Sequence, residues 1–331
     1  MMKESLYIYN SGTLSRKDNT LRFIGENGTK RDIPIERYSD IYAFGEININ
    51  SALLNILSQY GINVHFFNYY SFYTGSFYAR EQLLAGQLLV QQAEHYLNPQ
   101  KRLFIAQKII DSASFNIYRN LRYYNSRGKD LQGFMNEIES LRKNIYKTNS
   151  VEELMGYEGN IRKNYYLAWN IIINQQIDFE KRVKHPPDNM INTLISFVNT
   201  LVYTKTLGEI YKTQLNPTIS YLHQPGVRRF SLCLDLSEIF KPLIADRLIF
   251  SLLNKNQITE DDFDENLNFL HLNKKASQTI VRQLDERMKK TIHHKALDKD
   301  VSYQYLIRLE AYKLIKHIIG EKEYDGFKMW W

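Results

Sequence analysis

REQLLAGQLLVQQAEHYLN, residues 80 to 98, is where this chain changes its period. Its apolar positions recur every three to four residues, the repeat of one helix face, and the run stops at Asn98-Pro99. Another helical stretch, KRLFIAQKIIDSASFNIYRNLRYYN, follows at once. Upstream nothing has that period. LYIY, TLSRK, TLRFIG and KRDIPI are short β-prone runs parted by Ser11-Gly12, Asp18-Asn19 and Gly28, which predicts antiparallel strands. A single amphipathic helix, SALLNILSQYG (51 to 61), precedes the apolar strand INVHFF. The fold class is therefore α+β: a small β-rich N-terminal domain, residues 1–80, then a larger all-α domain, residues 81–331, with the boundary between 75 and 85.

The remaining helices carry their own punctuation. Ser150 followed three residues later by Glu153 is a capping box opening SVEELMGYEGNIRKNYYLAWNIII, and Asp188 is the expected N-cap of the helix in HPPDNMINTLISFVNTLVYTKTLGEIY. SYQYLIRLEAYKLIKHIIG stops at Gly320. The acidic run EDDFDEN (260 to 266) lacks the glycine and ligand register of an EF-hand loop and reads as a solvated turn and helix start.

At 44% hydrophobic and 24% charged residues the chain has the composition of a soluble globular protein. Its apolar runs fall short of the roughly 18 residues that cross a bilayer, and MMKESLYIYN lacks a signal-peptide core, so a cytoplasmic protein without a membrane partner is expected. One cysteine, Cys233, cannot form an internal disulfide, and its apolar flanks mark a buried small side chain. A net charge of +7, with tyrosines set beside arginines as in YRNLRYYNSRGK (118 to 129), points to a polyanionic partner such as nucleic acid.

The chemistry is concentrated in YLHQPGVRRFSLCLDLSEIFKP (221 to 242), where Asp235 and Glu238 interrupt an apolar run and His223 precedes a Pro-Gly turn. Three residues apart on a helix, the two carboxylates share a face, and in apolar surroundings they need a compensating positive charge. Two readings stand at this point. A divalent cation supplies the charge, since imidazole and carboxylates suit Mn²⁺ as well as Mg²⁺. Alternatively the acids pair with Arg228, Arg229 or Lys241 on a solvated face, and His223 is an ordinary core histidine. No HExxH, CxxC, P-loop, GxSxG or GxGxxG competes.

LYIYNSGTLSRKDNTLRF, IPIERYSDIYAFGEININSALLNILSQYGINVHFF, EGNIRKNYY, PPDNMINTLISFVNTLVY, LHQPGVRRFSLCLDLSEIFKPLIADRLIF and YDGFKMWW occur in this order along almost the whole chain. Together they resemble the CRISPR-associated endonuclease that acts as the integrase of spacer acquisition, the Cas-one family. The resemblance implies a divalent metal, Mg²⁺ or Mn²⁺, on Glu158, His223 and Glu238, with Asp235 beside them to orient water or a hydroxyl or to tune the histidine. Arg228, Arg229 and Lys241 would hold phosphates, although Lys241 stands where the family usually has arginine; Asn192 and Tyr165 lie in matching segments, to hydrogen-bond near the metal or, for Asn192 equally, to serve its own helix surface. It further implies DNA as substrate, a homodimer built through the β-rich domain, and a companion protein, Cas-two, joining dimers into a heterohexamer-like complex. The competing functions are a structure-selective, metal-dependent repair nuclease and a non-catalytic nucleic-acid scaffold.

Overall fold

In the first unit the short alternating runs form two four-stranded sheets. The computed structural model describes residues 3–79, 83, 85–177, 179–183, 187–266, 269–294 and 296–330, so Arg80 to Gln82 and Leu84, where the first long helix was expected to begin, lie outside the described residues. The chain divides into two compact units, Met1–Leu84 and Ala85–Trp331. In the first, β1 (Glu4–Ile8), β2 (Gly12–Lys17), β3 (Thr20–Gly25), β4 (Lys30–Ile33), β5 (Tyr38–Ala43), β6 (Ile47–Asn48), α1 (Ser51–Tyr60), β7 (Asn63–Phe67) and β8 (Tyr73–Phe77) follow in order.

Strands β4-β3-β2-β6 make one sheet and β1-β5-β7-β8 the other. The first has the expected antiparallel hairpins, β2 turning into β3 at Asp18, which takes a positive φ that aspartate tolerates. Both sheets correct the all-antiparallel expectation: β2 pairs with β6 in parallel in the first, and β1 with β5 and β5 with β7 in parallel in the second. Parallel pairing needs a long crossover, and α1 lies within the one from β5 to β7. Asn50 accepts from the Leu53 N–H to start α1, and Gly61 ends it at φ 66°, a conformation open to glycine. Leu14, Leu21, Ile35, Ile41, Leu53 and Leu57 are fully buried in the core of this unit.

The second unit is mainly helical: α2 (Gly86–Leu97), α3 (Pro99–Asn125), α4 (Gln132–Arg142), α5 (Val151–Ile172), α6 (Met190–Ile210), α7 (Ser231–Lys241), α8 (Arg247–Asn254), α9 (Lys274–Lys289) and α10 (Tyr303–Ile318). Two short hairpins, β9 (Phe263–Asn266) with β10 (Phe269–Leu272) and β11 (Thr291–His294) with β12 (Lys299–Ser302), correct the all-α expectation. EDDFDEN accordingly starts a strand after one tight turn capped by Thr259, rather than a helix. Asn189, not Asp188, caps α6. Ser150 caps α5 as expected, while Glu153 reaches back to the Asn149 N–H at 2.8 Å, one residue before the cap.

Helix α7 packs against α3 and α6 and continues through a π turn, Pro242–Asp246, into α8. Proline has no N–H to donate, so the normal ladder cannot pass residue 242, and the wider turn absorbs the fault. Behind α7, Asn116 ties the C-terminal segment to the helix: it donates to the carbonyls of Ile239 and Phe327, both at 3.0 Å, and accepts from the Met329 N–H at 2.9 Å. Gly326 is required there, because a Cβ would lie 2.3 Å from Ser112 Oγ. Replacing Asn116 by leucine leaves three backbone groups without that partner, so a loss of about 3 kcal/mol or more is expected at roughly 1–3 kcal/mol per buried unsatisfied group. Thermal unfolding checks it: a melting temperature equal to that of the wild type would show that the tail is not anchored there.

Candidate active site

Asp235 has no exposed surface, and its carboxylate is fully engaged. Oδ2 accepts from the backbone N–H groups of Tyr221 at 2.6 Å and Leu222 at 2.9 Å; Oδ1 accepts from the His223 N–H at 3.0 Å and from His223 Nδ1 at 2.8 Å. One acid on α7 thus shapes the whole 221–223 turn. With its Nδ1 proton directed at Asp235, neutral His223 has its lone pair on Nε2, the form that ligates a metal. The imidazole keeps 26% of its surface open.

Glu238, one turn further along α7, turns the other way. Lys241 Nζ donates to its Oε1 at 2.5 Å, and Arg162 Nη2 donates to its Oε2. Arg162 sits on α5 one turn after Glu158, and its Nε donates to Glu158 Oε1 at 3.0 Å. A single guanidinium therefore joins Glu158 to Glu238. Burial alone would raise the Glu238 carboxyl, but Arg162 and Lys241 outweigh it, with His223 adding to them when charged, and hold it down at about 2. The arginine, buried though it is, is held charged by Glu238 and its other acidic neighbours.

A second shielded acid lies beneath. The π turn places Asp246 at 3% exposure, with Oδ2 buried and without a hydrogen-bond partner among the described residues. Burial pushes its carboxyl up to about 7, against the pull of Arg162 and a hydrogen bond with Tyr165. The Tyr165 hydroxyl in turn accepts from Asn120 Nδ2 at 3.0 Å.

The structure brings Glu158, His223, Asp235 and Glu238 onto one locus. Lys241 belongs to it too, as the partner of Glu238 with a side chain 12% exposed, and is not displayed on the surface to meet a phosphate. Arg228 and Arg229 lie in the exposed loop that follows His223. Arg229 is turned onto Ser231 Oγ at 3.1 Å and the Gln224 carbonyl, which braces the loop. Asn192 bonds Arg182, Val183 and Asp188 ahead of α6, and its hydrogen bonds among the described residues go to none of the four. Arg162 and Asp246 escaped the sequence reading. Glu-x-x-x-Arg in EGNIR and a third acid in the apolar run KPLIADRLI were the available signals.

Among the described residues no three His, Cys, Asp or Glu side chains are placed to hold a metal ion as they stand. The donor chemistry nonetheless fits one. Glu238 is ionised at any ordinary pH, His223 presents Nε2, and Glu158 meets Glu238 across a cation whose charge an ion could replace.

The family model "CRISPR associated protein Cas1" matches residues 6–286. The chain belongs to the Cas1 family. A "CRISPR-associated endonuclease Cas1" of Fusobacterium nucleatum is 66% identical to it over 330 residues, all of this chain and 98% of the relative. The solved Cas1 of Thermotoga maritima, TM1797, is 40% identical and superposes with a TM-score of 0.86 over 98% of this chain and all of its own. A casposase bound to its integration product has the same fold, with a TM-score of 0.86 over 98% of this chain and 92% of its own at 19% identity. As a Cas1 protein the chain is a CRISPR-associated endonuclease, an activity class that depends on a divalent metal.

Proposed function

We propose that this Cas1 endonuclease is the integrase of spacer acquisition, inserting short DNA duplexes into a repeat array, with Mg²⁺ or Mn²⁺ held by Glu158, His223 and Glu238. The observation that carries the proposal is the Asp235 cradle, which fixes the tautomer and direction of His223 beside an ionised Glu238. When bound, a divalent ion supplies neutralising charge at the scissile phosphate. Asp235 keeps the proton on His223 Nδ1 and so preserves Nε2 as a donor; it is a positioning residue. Arg228, exposed at the loop tip, contacts the DNA backbone without reading bases.

The transfer forms a bond from the incoming 3′-hydroxyl oxygen to phosphorus while the target's own 3′ oxygen leaves. One phosphodiester replaces another, so no nucleotide triphosphate is needed. DNA is the substrate, and the working assembly is a homodimer joined through the β-rich unit, with the companion protein Cas2 linking dimers into a heterohexamer-like complex in the cytoplasm. A labelled duplex with free 3′-hydroxyl ends, incubated with this protein, Cas2, Mn²⁺ and a repeat-bearing plasmid, should become joined to the plasmid. Nicking without joining in every condition would favour a repair nuclease instead.

The assembly has its own test. A chain beginning at Ala85 keeps the whole helical unit but lacks Met1–Leu84, and it should run as a monomer in light scattering. A dimer of undiminished strength would place the interface in the helical unit.

A further inference from the structure

Arg162 stands where the proposed site needs a positive charge. Its guanidinium bridges Glu158 and Glu238 from a side chain only 13% exposed, so it cannot simply rotate into water without leaving two carboxylates facing each other. Arginine stays protonated at all working pH values, and a buried guanidinium must remain paired. If an ion takes the carboxylates, Arg162 needs another acid. Besides Glu158 and Glu238, Asp246 is a carboxylate whose charge acts on Arg162. That residue holds a buried oxygen, Oδ2, with no hydrogen-bond partner among the described residues. Its position is braced: Tyr165 bonds Asp246, Asn120 bonds Tyr165 at 3.0 Å and the Pro242 carbonyl of the π turn at 2.7 Å, and Arg247 donates to Asn120 at 2.6 Å.

We infer that Arg162 is a resident counter-ion that a divalent cation displaces, and that Asp246 is the seat that receives the displaced guanidinium. The inference rests on the reading that Glu158, His223 and Glu238 take the cation. Without an ion the arginine keeps the two acids from repelling each other and so holds α5 to α7; with one, the same charge shifts to the π turn. Metal affinity then contains the cost of moving Arg162, and Asp246, which is not a ligand, lowers that cost. Both residues are positioning residues that set how readily the ion enters.

The test uses the full chain without DNA, titrated with Mn²⁺ in a calorimeter, with thermal shift as a second readout. Wild-type protein should bind Mn²⁺, and Glu238→Gln should abolish the binding. Arg162→Gln should bind at least about tenfold more tightly, because the ion no longer competes with a buried pair, and Asp246→Asn about tenfold more weakly. In the double variant the Asp246→Asn effect should vanish, since no guanidinium remains to be received; this non-additivity separates exchange from a structural role. Arg162→Lys, which keeps the charge but reaches only one carboxylate, should bind between wild type and Arg162→Gln, and it decides the matter if Arg162→Gln does not fold. Weaker or unchanged Mn²⁺ affinity on removing the guanidinium, or additive effects of the two substitutions, would overturn the exchange while leaving the metal site intact. Absence of any Glu238-dependent Mn²⁺ binding in the wild type would overturn both.

Discussion

Glu158→Gln, His223→Ala and Glu238→Gln should each cut strand transfer by at least about a thousandfold while duplex binding changes only a few-fold, because several kcal/mol of charge stabilisation pass through these side chains and each 1.36 kcal/mol is tenfold in rate. Glutamine is the informative replacement for the acids. Both replacements remove the charge that Arg162 and Lys241 face, but glutamine keeps an acceptor oxygen and the side-chain volume, whereas Glu238→Ala strips the acceptors and opens a cavity too, a loss of roughly 3–5 kcal/mol that confuses lost chemistry with lost fold. Glu158 is different: its side chain is 26% exposed, and it shares Arg162 with Glu238, so its removal should barely move the melting temperature. Near wild-type joining by any one of the three, in Mg²⁺ or Mn²⁺, would remove that residue from the site.

The sequence made the acids of DLSE visible because an apolar run has no other reason to contain them. Their partners were not visible. The three-residue spacing of Asp235 and Glu238 on a helix face argued for one joint role, yet Asp235 turns to the backbone of a segment some 12 to 14 residues earlier, while Glu238 turns to another helix. Periodicity is local, and these contacts are not. The ion-pair reading found Lys241 for Glu238 but expected a solvated face, whereas the pair is buried with side chains 12% and 10% exposed. Arg162 lay inside a quoted motif, but an i, i+4 pair on one helix does not announce that its arginine also spans to α7. Asp246 depends on the π turn that Pro242 imposes, a backbone change that no side-chain pattern records.

The fold divides along the same line. Helix ends at Asn98-Pro99, Ser150 and Gly320 were legible because caps and breakers act within a few residues. The parallel order β1-β5-β7 was not, since strand partners separated by a crossover leave no local mark. The two small hairpins, with strands of four residues each, are too short for alternation to outweigh the helical pattern on either side.

Whether this site joins DNA ends, as proposed, or merely cuts is decided by the attacking group. The site proposed on Glu158, His223 and Glu238 would act on whichever oxygen is held in line, and a bound duplex end would present its 3′-hydroxyl at an effective concentration far above that of a free strand. Asp235 does not stand in for that oxygen, because its carboxylate is committed to the backbone and ring of the 221–223 turn. The measurement compares two labelled duplexes, identical but for a 3′-hydroxyl or a 3′-deoxy terminus, with this protein, Cas2, Mn²⁺ and a repeat-bearing plasmid. Joined product is expected from the hydroxyl-ended duplex and none from the deoxy-ended one, with hydrolytic nicking surviving in the second case as water enters the vacant position. Equal joining of both duplexes would contradict the proposal.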